Sequence, residues 1–183
     1  MEYNKGEIMI SYRVGLILGF ITLFLVGCVA TQVNTSHPIL LPRSIAVLPF
    51  NNVTETPQAD ARAAAMVTAL MYSRGFAAIT YPISSTKAAL IPGVIPPPPR
   101  AQLLNWARER NIPYAVTGSV TEWRYKVGLD GEPVVGITLE VINVETGEIV
   151  WTSVGSQSGG SRTAVSTIAQ RLLIKMLFNF NCR

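Results

Sequence analysis

Histidine and cysteine are nearly missing from this chain, which has one of the first and two of the second in 183 residues. His37 has no partner histidine or available cysteine at metal-ligand spacing, so no metal site is expected. A serine–histidine–aspartate triad would have to recruit that same histidine from a segment that reads as a tether. No glycine-rich phosphate loop opens a helix. The nearest stretch, GSQSGGSR from Gly155 to Arg162, lacks the lysine and the spacing of a P-loop and reads as a turn with a helix cap. Carboxylates are few, and no spacing among them marks a glycosidase pair. The chain is therefore expected to be no enzyme and to need no cofactor. Basic residues exceed acidic ones by 15 to 11, a net charge of +4 that is spread thinly. No basic run is interleaved with aromatics, so nucleic acid is not an expected partner. Internal repeats and a second long apolar run are also absent.

One long apolar run is present. It extends from Val14 to Val26, follows Arg13 and contains no charge. A bilayer span needs ~20 residues, so the run suits a secretory signal better than a membrane helix. It closes on Leu25-Val26-Gly27-Cys28, which resembles the bacterial lipobox. There the small residue before the cysteine lets the chain enter the signal peptidase, and the thiol is acylated. Residues 1–27 are then a signal peptide, and Cys28 becomes the lipidated N-terminus. Val29, not aspartate, follows Cys28, which resembles sorting to the outer membrane. With Cys28 acylated, an intramolecular disulfide is excluded, so the fold is expected to rest on its core.

Residues 28–43 read as a lipidated tether, and 44–183 as a single periplasmic domain. SIAVLPF, Ser44 to Phe50, is a short apolar, β-branched run fit for a buried strand. Thr56 reads as an N-cap with Pro57 at the first helical position. Ala63, Met66, Val67 and Leu70 recur at helical spacing, and Gly75 reads as the C-cap. Phe76 to Thr80 is a second strand. Tyr81 to Pro99 is a long loop ending in four prolines, which favour stiff polyproline II. Arg100 to Asn111 is a helix with Leu103, Leu104 and Ala107 inward. Tyr114 to Val127 is a long strand. Val116 and Val120 share one face of it, but Trp123 falls out of phase, which signals a bulge or an extension past the sheet. Val135, Ile137, Leu139 and Val141 alternate cleanly in the next strand, and IVWTSV is the last. Ser161 caps a final helix with Val165, Ile168, Ala169, Leu172 and Met176 on its core face. The order βαβ-αβββ-α predicts an α/β or α+β domain, one mixed sheet covered by helices.

Three stretches carry a family resemblance: AVLPFNNVTETPQADARA, YAVTGSVTEWRYKVGLDGEPVVGITLEVINVETGEIVW, and the SGGSR before the final helix. They resemble the PelC family, outer-membrane lipoproteins of Pel exopolysaccharide export. TGEIVW is also found in a wider lipoprotein group with the curli-secretion pore subunit and the TolB N-terminal domain. The resemblance implies a non-enzymatic, dodecameric homo-oligomeric ring held under the outer membrane by its lipids. Such a ring collars the exit of an export β-barrel and guides a partly cationic polymer. Glu122, Asp130 and Glu132 flank the turn in the most family-specific stretch. They read either as solvated turn carboxylates or as polymer-guiding charges. Trp151 reads either as core or, with Trp123 as the competing candidate, as a side chain at the membrane interface. Two other functions fit the wider group: a regulatory lipoprotein that activates a peptidoglycan synthase, and a curli-type pore subunit.

Overall fold

The computed structural model describes residues 31–82, 97–128 and 131–182. Among the described residues there are nine strands and three helices: β1 (Thr31–Thr35), β2 (Ile39–Leu41), β3 (Ser44–Val47), β4 (Asn51–Asn52), α1 (Ala59–Ser73), β5 (Ala77–Thr80), α2 (Arg100–Arg108), β6 (Tyr114–Tyr125), β7 (Pro133–Asn143), β8 (Ile149–Ser158), α3 (Val165–Met176) and β9 (Phe180–Cys182). The main sheet runs β1-β8-β7-β6-β3-β5, with the short β4 also on β6. β3 is parallel to β5 and β6, whereas β6, β7, β8 and β1 form an antiparallel meander. The sheet is mixed and helices pack on it, as the element order predicts.

α1 and α3 cover one face. Their inward residues, Ala63, Val67 and Met71 from α1 and Ile168, Leu172 and Met176 from α3, meet Val47, Val116, Val135, Ile137 and Leu139 in the larger core. α2 covers only part of the other face, where Leu103, Leu104 and Ala107 meet Ala46, Leu48, Ala115 and Ile142. Gly118 stands where a Cβ would come within 2.1 Å of the Thr138 carbonyl and 2.8 Å of the Phe50 ring, so only glycine lets β6, β7 and that ring close together.

The segment read as a tether differs from expectation. Thr31–Thr35 pairs antiparallel with β8, and Ile39–Leu41 pairs parallel with β9. TQVNT holds one aliphatic residue, too little for an apolar pattern. An edge strand needs only one side covered, so Val33 and its backbone bonds suffice. β9 was hidden for a related reason: three residues after a helix carry no periodicity.

Both expected side-chain caps are corrected. α1 starts at Ala59 after Gln58, which sits in the left-handed region (φ 59°), and neither Thr56 nor Gln58 caps it through its side chain. Thr56 Oγ1 instead donates to the Trp123 carbonyl. α3 starts after Ala164, so Ser161 lies outside it. The C-terminus of α1 matches expectation. Gly75 has φ +88°; its N–H donates to Tyr72 O at 3.0 Å, and that of Phe76 to Met71 O at 3.1 Å, the paired bonds of a Schellman motif. Arg74, whose pKa burial lowers, donates to the Phe180 carbonyl at 3.1 Å and ties this corner to β9.

Candidate functional site: the hairpin of β6 and β7

The longest element pair in the fold is also the stretch that singled itself out by sequence. β6 and β7 pair from Tyr114↔Asn143 to Tyr125↔Pro133, with a register shift between Val120 and Glu122. The shift is a bulge, one of the two outcomes that the phase change allows. Thr121 is the extra residue. Gly136, paired with Glu122, leaves room for it, since a Cβ there would lie 2.6 Å from Thr121 Oγ1. The bulge restores phase: Val116, Val120 and Trp123 all end on the core face.

The bulge also opens a cleft of about 540 Å³ between β6 and the loop that follows β4. Thr54, Glu55 and Pro57 line one side, and Thr121, Glu122 and Arg124 the other. A hydrogen-bond network stiffens the loop. Asn52 Oδ1 accepts from Thr54 N and Oγ1 at 3.0 and 2.7 Å, and Asn52 Nδ2 donates to Thr56 O at 2.8 Å. Nothing in the sequence marks Asn52 and Thr54 for this role, because side-chain bonds to nearby backbone have no sequence period to betray them.

The predicted charges lie as follows. Glu122 Oε1 is 3.0 Å from Arg124 Nη2, two residues along on the same strand side. Glu132 Oε2 is 3.5 Å from Lys126 Nζ, where the Lys126 N–H also donates to the Glu132 carbonyl at 2.7 Å. Each glutamate thus has a cation beside it. Asp130 lies outside the described residues, as do Cys28 and the whole signal segment.

Neither predicted interface tryptophan reaches the surface of the subunit. Trp151 is 1% exposed and meets Phe180 edge-on at 5.1 Å; Trp123 is 3% exposed. The interface reading of both is corrected: β9 closes over Trp151, and the bulge turns Trp123 inward. The aromatic group that sequence reasoning missed is Trp106. Arg110 stacks on its ring at 4.6 Å and Tyr81 meets it edge-on at 5.1 Å. The spacing of Trp106 and Arg110, four residues apart, was the available signal. Among the described residues no group of histidine, cysteine and carboxylate side chains could hold a metal, and no helix is long and apolar enough to cross a membrane.

The mixed sheet, with its bulged hairpin and helices on both faces, defines a class of small single-domain α/β proteins. The lipoprotein GNA1162 from Neisseria meningitidis shares this fold, with TM-score 0.52 and 20% identity over 75% of this chain and 96% of that one. Within the class, the chain belongs to the PelC family. It is 34% identical to PelC from Paraburkholderia phytofirmans, whose solved structure is a dodecamer, over 84% of this chain and 99% of that chain, with TM-score 0.71. A variant of the same dodecamer matches at 33% identity, again with TM-score 0.71. No family model and no curated protein matches the chain.

Proposed function

We propose that this protein is a lipid-anchored, ring-forming component of an exopolysaccharide export apparatus. In this reading it is held by Cys28 on the periplasmic face of the outer membrane. The ring collars an outer-membrane β-barrel and guides a cationic polymer toward it. The observation that carries the reading is 34% identity across 99% of a PelC chain that forms a dodecamer.

Glu122, Asp130 and Glu132 are proposed as the guiding charges. A ring repeats each of them in every subunit. The ion pairs to Arg124 and Lys126 do not defeat this role, because exposed pairs are worth only about 0–1 kcal/mol and exchange readily. A polymer ammonium group displaces the local cation, makes a weak contact and moves on. Transport needs that weakness, since polymer must leave as easily as it enters. The test replaces all three by Gln, Asn and Gln. Expected are an unchanged oligomer mass by light scattering and a severalfold fall in secreted polymer; unchanged secretion places the guiding surface elsewhere. A mature protein that stays monomeric at high concentration in detergent removes the ring.

A further inference from the structure

The two faces of the sheet are covered unequally. α1 and α3 lie over one face, and α2 over one corner of the other. Strand register defines what α2 leaves bare among the described residues. Glu140 pairs with Thr152, Thr138 with Val154, and Val154 with Asn34. With Ser156, two residues further along β8, these side chains share the face opposite to Leu139, Val141 and Trp151 of the core. Asn34, Thr152, Val154 and Ser156 are exposed. Glu140 is half-buried and is the one charge of the patch. Among the described residues its carboxylate has neither a hydrogen bond nor an ion pair. Arg100 lines a groove beside it but donates to the Gly147 carbonyl at 3.1 Å, and Glu122 and Arg124, at the border of the patch, pair with each other.

On the far side of the molecule α1 turns a second charge-poor surface outward. Ala63, Val67 and Met71 take its inward side, so Ala61, Ala65, Ala69 and Tyr72 face away from the core, with Tyr72 58% exposed. The solvent face of a surface helix ordinarily carries charged and polar residues along its length. This one has a single charge, Arg62, which is exposed and, among the described residues, has no side-chain hydrogen bond or ion pair. Depletion of charge, with a tyrosine present, is the compositional signal of an interface core.

We propose that these surfaces are the two halves of one contact between copies of this chain: α1 of one subunit lies on the bare sheet face of the next, and its Arg62 meets Glu140 of the partner subunit. The inference rests on the ring reading above and names the surfaces that make the ring. A head-to-tail ring of twelve turns each subunit by about 30° from the last, so its two contact surfaces must point in nearly opposite directions. The outward side of α1 and the bare patch lie on opposite faces of one sheet and meet that condition. Their sizes agree as well. α1 is about 22 Å long, and the patch measures about 10 Å across its three strands and about 13 Å along β8 from Thr152 to Ser156. Charge selects the register of the contact. Covering Glu140 with an uncharged surface would strip water from its carboxylate with nothing in return, so the covering surface must bring a cation. Arg62 is the cation that the outward side of α1 carries.

The experiment uses the protein purified from membranes in detergent, with oligomer mass read by light scattering and folding by circular dichroism. Glu140→Arg and Arg62→Glu are each expected to lower the mass severalfold, and the two together to restore it. A second measurement does not depend on those substitutions. In a Cys182→Ser background, Ala65→Cys and Val154→Cys are combined and treated with a short bismaleimide. The expected product is a ladder of covalent multimers beyond the dimer, which neither cysteine gives alone. Wild-type mass kept by both charge variants overturns the ion pair. A missing ladder from a protein that still has the wild-type mass overturns the interface and leaves the ring reading standing. Val154→Cys closed to maleimide even in monomers shows that the chain covers its own sheet face, which also overturns it. A wild-type protein that stays monomeric removes the ring reading, and the proposal with it.

Discussion

Trp151 and Trp123 are buried for different reasons, and substitutions at the two should behave differently. Trp151 faces inward by plain strand alternation and is closed over by Phe180. Truncating a ring so enclosed costs on the order of 3–5 kcal/mol. Trp151→Ala is therefore expected to lower the denaturant midpoint strongly while leaving vesicle binding of the folded, lipidated protein unchanged. A mild stability loss with loss of vesicle binding restores the interface role. Gly118 is the second decisive residue. Gly118→Ala drives a methyl into the Thr138 carbonyl and the Phe50 ring, so β6 and β7 must separate. Overpacking of this kind costs about 1–3 kcal/mol or more, and thermal unfolding should show it as a fall in Tm of several degrees.

At the scale of elements, the bulge in β6 and the edge strand β1 make opposite predictions. Deleting Thr121 removes the extra residue and leaves plain alternation, with Val120, Glu122 and Trp123 still opposite Ile137, Gly136 and Val135 and Trp123 still inward. We expect the deletion to cost the domain far less stability than insertion of an alanine after Thr121, which throws Trp123 and all that follows out of phase; equal losses in denaturant midpoint would mean that the bulge does not set the register. Among the described residues β1 is held on one side only, by β8, with Lys175 Nζ reaching Thr31 Oγ1 at 3.1 Å. Its amides should therefore exchange with deuterium much faster than those of β7, which has partners on both sides. Protection of β1 equal to that of β7 in the assembled protein would show that a neighbouring subunit covers the edge.

For the whole molecule, stability comes from one core shared by α1, α3 and the sheet, extended by the smaller core under α2. Acylation of Cys28, as proposed, would exclude a disulfide within the chain, which has two cysteines. A thiol reductant is accordingly expected to leave the melting temperature of the lipidated protein where it was, and a shift of several degrees would point to a disulfide between subunits. The uneven covering of the sheet is the other property of this scale. Thr152, Val154 and Ser156 of β8 lie exposed on the face that α2 only partly covers.

Long periodic runs were legible in the sequence by themselves. The alternation of β7, the inward faces of α2 and α3, the Schellman glycine and even the bulge in β6 follow from the spacing of apolar residues. Burial demands that spacing wherever a long element meets a core. The family was legible for the same reason, since its quoted stretches lie mainly on these elements. Short and polar pieces were not legible. β1 carries one aliphatic residue, β9 has three positions, and the start of α1 depends on a left-handed Gln58 and on where the Thr56 hydroxyl finds an acceptor. Such choices are made by partners distant in the chain, which a sequence pattern does not contain. The site divides in the same way. The sequence put Glu122 and Glu132 on one hairpin; only the tertiary structure set Arg124 and Lys126 beside them, turned Trp123 inward, and brought Asn34, Glu140 and Val154 to one face of the sheet. Strand register decides that last point, because pairing across the sheet, not distance along the chain, determines which residues share a face.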